Sequence, residues 1–162
     1  MGDTVQPVQV VQDVSTLVPP ILAPSAFAGV STTAVAGERS SVNFTLDPRA
    51  GGALVDLWWA FVGTNNLGLR LSAAGVVMTT PLVAVVHDMS PVVATASTVI
   101  GGTTVTALGD LESGLLAANN TQNGPITLFV PPGQILTAQL RNSNAVARFQ
   151  FVWQEFQGPR AE

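Results

Sequence analysis

His87 and Asp88 stand side by side and are the first residues in the chain to look like catalytic machinery. A histidine acting as general base is held by a third group that fixes its other ring nitrogen. Adjacent residues on a strand point to opposite faces, so Asp88 is badly placed to orient His87. No Gly-x-Ser-x-Gly elbow supplies a nucleophile, and Ser72, Ser90 and Ser97 lie in ordinary contexts. His87 is the one histidine and cysteine is absent, so a zinc or iron site lacks its usual ligands. His87 reads as a strand-end or interface residue.

The carboxylates offer two further pairings. Asp110 and Glu112 are one residue apart, a spacing that serves a cation or simply starts a helix. The helix is the better reading, because Asp110 can cap Leu111, Leu115 and Leu116 at helical spacing, with Asn119 near the end. Gly114 weakens it by up to about 1 kcal/mol. Asp56 and Glu155 each flank a tryptophan, Trp58 and Trp153. Two carboxylates facing across a cleft are the requirement for a glycosidase, and tryptophan lines many sugar sites. The same four residues also fit a core of aromatics with carboxylates solvated at strand ends. A carbohydrate-binding face requires an exposed Trp58 or Trp153.

Composition removes other chemistry. The 162 residues include ten acidic and six basic ones, for a net charge of −4. All six basic residues are arginine, at positions 39, 49, 70, 141, 148 and 160. Without lysine there is no P-loop or Schiff base, and without cysteine no disulfide or thiolate nucleophile. The acidic balance argues against direct nucleic-acid binding, which needs a basic patch to displace counterions. Scattered arginines suit planar ion pairs between subunits better than a diffuse basic surface. No cofactor and no metal are indicated, and no enzyme activity is expected.

The mean hydropathy of +0.41 raises the question of a membrane span. Residues 14–37 are uncharged but carry Pro19, Pro20, Pro24 and Gly29, and residues 113–140 are broken by asparagines and Pro131-Pro132-Gly133. Neither is a run of about 20 apolar residues, so no membrane association is expected. No secretion signal is visible, which makes the sequons at Asn43 and Asn119 chance matches.

What remains is the framework. Residues 1–25 are valine-rich with prolines at 7, 19, 20 and 24, which favours an extended N-terminal arm, with a short helix over Val8–Leu17 as the alternative. Val8, Val10, Leu17, Ile21 and Leu22 are the candidate arm contacts with a neighbouring subunit. Residues 26–162 read as one all-β domain. Strands are expected over Ser41–Leu46, Ala53–Val62, Gly68–Leu71, Val76–Thr79, Leu82–His87, Thr98–Leu108, Ile126–Val130, Gln134–Arg141 and the aromatic run from Arg148 to Gln154. Gly101-Gly102 marks a turn or bulge, and Pro132-Gly133 suits the centre of a type II turn. About eight short strands in a valine- and threonine-rich chain point to a β-sandwich or jelly roll. Stable monomers usually carry about 25 to 35% charged residues on the surface, so a chain with 10% overall is expected to hide surface in a homo-oligomer.

Trp58-Trp59-Ala60-Phe61-Val62, the run from Ile126 through Pro131-Pro132-Gly133 to Leu136, and the terminal Phe149 to Phe156 together resemble small β-sandwich virion proteins of tailed bacteriophages. The likeness is greatest to capsid cement or decoration proteins and covers roughly residues 40–157. It implies a trimeric subunit on the capsid exterior whose partner is the major capsid protein, which it binds and stabilises. A tail, neck or fibre subunit, or a carbohydrate-binding sandwich for host attachment, is the alternative.

Overall fold

A computed structural model describes residues 24–34, 38–61, 65–89, 94–104, 112–117, 123–140 and 146–157. The arm positions Val8, Val10, Leu17, Ile21 and Leu22 lie outside these described residues. Among the described residues eleven strands run in chain order: β1 (Ala26–Thr33), β2 (Arg39–Thr45), β3 (Ala50–Phe61), β4 (Asn65–Ser72), β5 (Leu82–Val83), β6 (His87–Asp88), β7 (Thr98–Thr104), β8 (Glu112–Ala117), β9 (Asn123–Val130), β10 (Ile135–Leu140) and β11 (Val146–Gln157). They form a five-stranded sheet, β6-β1-β11-β3-β9, and a six-stranded sheet, β5-β7-β2-β10-β4-β8, with every pairing antiparallel.

The pairings are nested. The first strand pairs with the last, β1 with β11; then β2 with β10, β3 with β9, and β4 with β8. Successive strands alternate between sheets, as though one long antiparallel ribbon had been rolled up. That connectivity is the jelly roll expected from the strand pattern. Strands β5, β6 and β7 belong to an insertion between β4 and β8. Of these, β7 widens one sheet beside β2, β5 pairs outside β7, and β6 crosses to the other sheet and pairs with β1.

Period-two alternation sets the core. Ala53, Val55, Leu57 and Trp59 of β3 face inward, opposite Ala147, Phe149, Phe151 and Trp153 of β11. From the other sheet, Val42, Phe44, Leu136, Ala138 and Leu140 meet them. Phe44 lies 4.9 Å from Trp153, edge to face, and 5.9 Å from Phe151. Each such ring, fully buried, contributes on the order of 2 kcal/mol from removal of apolar area from water. The Pro132-Gly133 turn is also seen: Gly133 has φ 79°, and the Gln134 N–H donates to the Pro131 carbonyl at 3.3 Å.

Several local expectations are corrected. Gly101-Gly102 is no turn, because β7 runs through both residues in unbroken register with β2. A Cβ on Gly101 would stand 2.7 Å from Val30 of the facing sheet, and one on Gly102 would stand 2.7 Å from the Thr80 carbonyl outside it. The two glycines admit close neighbours on both faces of the strand. The segment Val76–Thr79 is not a strand but a strap across the outer face of the six-stranded sheet. The Asn43 side-chain amide donates to the Val76 carbonyl at 2.8 Å and its oxygen accepts the Val76 N–H at 3.2 Å, replacing a strand partner. Beneath and beside this strap Ser41, Thr103, Thr137 and Gln139 are buried. Only the ends of Leu82–His87 pair, as β5 and β6. The expected helix over Asp110–Asn120 is replaced by β8 over its described part, Glu112–Ala117. There Leu115 and Leu116 pair in register with Leu67 and Asn66 of β4, and backbone pairing along β4 outweighs a helical pattern already weakened by Gly114.

Candidate functional site

Three features bear on function: a polar cluster at one end of the sandwich, an aromatic groove on the five-stranded sheet, and an apolar edge formed by the insertion.

The polar cluster joins chain segments far apart in sequence. Asp47, just past β2, is 3% exposed and accepts from the Arg49 side chain, from the Arg49 N–H and from the Ala96 N–H. The Arg49 contact is forked, with Nη2 2.6 Å and Nε 3.0 Å from the carboxylate. This pairing holds the Asp47 carboxyl down at about 2, against the opposing effect of burial. Ser97 Oγ accepts the Asp47 N–H at 2.8 Å and donates to Glu155 Oε2 at 2.7 Å. The same oxygen accepts from Trp153 Nε1 at 2.8 Å and from Thr95 Oγ1. The Glu155 N–H in turn donates to Ser25 Oγ at 2.9 Å. All these bonds are internal. The cluster clamps the 94–97 segment to both sheets.

The sequence candidates are therefore distributed, not assembled. Asp56 points outward from β3 and accepts from Thr127, whereas Glu155 sits with Trp153 on the opposite face of the same sheet. They do not face each other across a cleft. His87 and Asp88 part as alternation requires: the His87 ring stacks on Phe27 at 4.7 Å, and Asp88 accepts the Thr95 N–H at 3.0 Å. Among the described residues no group of three His, Asp or Glu side chains could hold a metal ion; Asp110 lies outside those residues. Trp153 is fully buried, which corrects its candidacy for sugar stacking; Trp58 is half-buried on the outer face. The sequon residue Asn43 is held by Val76 and Thr137 beneath the strap, a poor acceptor for a glycan.

The groove lies on the outer face of the five-stranded sheet. An open groove of about 430 Å³ is lined by Phe27, His87, Gly29, Trp58, Gln150 and Val152, and a second depression beside it follows β1 and β11 to Ser31 and Arg148. Its aromatic walls come from alternate outward positions whose inward neighbours fill the core.

Sequence reading passed over the apolar edge. Val77, Leu82, Val83, Val85 and Met89 are 84, 51, 64, 72 and 49% exposed. Between Arg70 and Asp110 the only formally charged residue is Asp88. Alternating Ala84 and Val86 turn inward against the core, so the exposed members form one side of a two-sided apolar segment. Among the described residues no helix is long and apolar enough to cross a membrane.

In comparisons with known proteins, no family model, no curated protein and no solved structure matches this chain.

Proposed function

We propose that the chain is a structural virion subunit, a capsid cement or decoration protein that trimerises on the capsid exterior and stabilises the lattice of the major capsid protein. The observation that carries this reading is the exposed, nearly charge-free edge of the insertion. Large apolar side chains exposed along one segment with Asp88 as its one formal charge suit an association surface, because single exposed residues are common on monomers but large apolar patches are not. Charge depletion is also the compositional mark of interface cores. The jelly roll supports the reading only by analogy, since that architecture serves capsid proteins, lectins and cupins alike.

Rebinding to purified capsids tests the proposal. The variant Val83→Glu/Val85→Glu changes two outward side chains and is expected to keep its thermal unfolding while losing capsid occupancy. Unchanged occupancy would remove the insertion edge as the binding surface. Copies spread over the head support a cement role; a single ring at the tail axis would move the subunit to the tail or neck.

A further inference from the structure

We propose that the groove on the five-stranded sheet binds a short acidic oligosaccharide. Register places its walls. Phe27 pairs with Val152, which pairs with Asp56, and one step along Gly29 pairs with Gln150, which pairs with Trp58. Phe27 and Trp58 thus stand two strands apart and two residues offset on the same face, roughly 12 Å from each other by ordinary strand spacing and rise. The row between them carries the short Val152 and the flexible Gln150, and Gly29 contributes no side chain. A slot of that width, open above and aromatic on both sides, accepts one sugar ring between two stacking faces. His87 backs Phe27 on its far side, with ring planes only 16° apart, and so fixes the wall.

Sugar rings offer C–H faces to aromatics and hydroxyl edges to side-chain amides, which matches Phe27 and Trp58 as walls and Gln150 on the floor. Charge specifies the rest. Asp56, across Val152 from Phe27 at the side of the slot, is engaged by the Thr127 hydroxyl, and the extension of the slot ends at Arg148, which is exposed and pairs with no carboxylate among the described residues. Arg148 lies four residues along β11 from Val152, roughly 13 Å at strand rise. That span exceeds one sugar ring. A guanidinium there suits a carboxylate in planar, forked contact. The ligand is therefore an oligosaccharide with one ring in the aromatic slot and a carboxylated sugar, such as a uronic or sialic acid, further along. Apart from His87 of β6, the site is built from β1, β3 and β11 and not from the exposed apolar side chains of the insertion, and it stands independently of the virion role.

The test uses the full chain on a glycan array carrying sialylated, uronic-acid-containing and neutral oligosaccharides, followed by calorimetry with the best acidic binder and its carboxyl methyl ester. The acid is expected to bind at least tenfold more tightly than its ester. Trp58→Ala should lower affinity for both at least tenfold, whereas Arg148→Gln should lower the acid to the level of the ester and leave the ester unchanged. Gly29→Leu provides a second variant that removes no contact group. A Cβ there meets nothing nearer than 3.5 Å, so the side chain should fill the groove without disturbing the sheet and abolish binding. A blank array, equal affinity for acid and ester, or binding indifferent to Gly29→Leu and Trp58→Ala would overturn the proposal.

Discussion

Ser97 and Glu155, 58 residues apart in sequence, meet at 2.7 Å, and the same serine oxygen takes up the Asp47 backbone N–H. One hydroxyl thus ties the start of β7 to the end of β2 in one sheet and to β11 in the other. Ser97→Ala leaves a buried N–H and a carboxylate oxygen each short of a partner. The expected cost is about 1–3 kcal/mol, seen as an earlier midpoint in urea without a change in slope.

Asp47 gives the fold an acid-sensitive contact. Its folded pKa of about 2 lies below the ordinary carboxylate value of 3.8, so the unfolded chain binds the proton more readily. The resulting stability is fully present above the unfolded value and disappears as pH falls through the folded one. Wild-type unfolding free energy should fall between about pH 4 and pH 2 by on the order of 2 kcal/mol from this group. Asp47→Asn should be less stable at pH 7 and show a flatter decline across that interval. Parallel pH profiles of the two proteins would contradict the assignment.

The strap depends on an amide acting as a strand. A Cβ on Gly75 would lie 2.6 Å from the Asn43 side chain, which is already committed to Val76 and Thr137. Gly75→Ala and Asn43→Ala should each destabilise by about 1–3 kcal/mol, through overpacking and through lost hydrogen bonds respectively. Hydrogen exchange at Val76 should rise in both. Exchange that stays at the wild-type rate would show that the strap is held by something else.

At Gly101 the two sheets pack closely, with Val30 of β1 occupying the space a side chain would need. Gly101→Ala should cost about 1–3 kcal/mol because Val30 must yield, and a smaller partner, Val30→Ala, should recover part of that loss in the double variant. Additive costs would place the strain elsewhere.

Much of this fold was legible in the residues because period two is a strong signal where one face is buried. Trp59 with Leu57, and Phe149 with Phe151 and Trp153, announced β3 and β11 directly. The glycine pair misled because a sequence shows that a side chain is missing but not which neighbour fills the space; Val30 and Thr80 arrive from distant parts of the chain. Val76–Thr79 carries strand-forming residues but is held by the Asn43 side chain at Val76 and by a single backbone bond from Thr79 to Thr103 of β7, not by a strand ladder. The site was less readable still. Trp58 and Trp153 have similar neighbours in sequence, yet one opens onto the groove and the other is sealed in the core, a difference of strand parity. The exposed edge at Val83 and Val85 was hidden because alternating apolar residues read equally well as core.

The most direct test of the central claim is the mass of the purified protein in solution, measured by native mass spectrometry and light scattering down to low concentration. A subunit that associates through the insertion should appear at three times its 16.7 kDa chain mass, and Val83→Glu/Val85→Glu should reduce it to the single chain. A wild-type protein that is freely soluble and monomeric at every concentration would contradict the account.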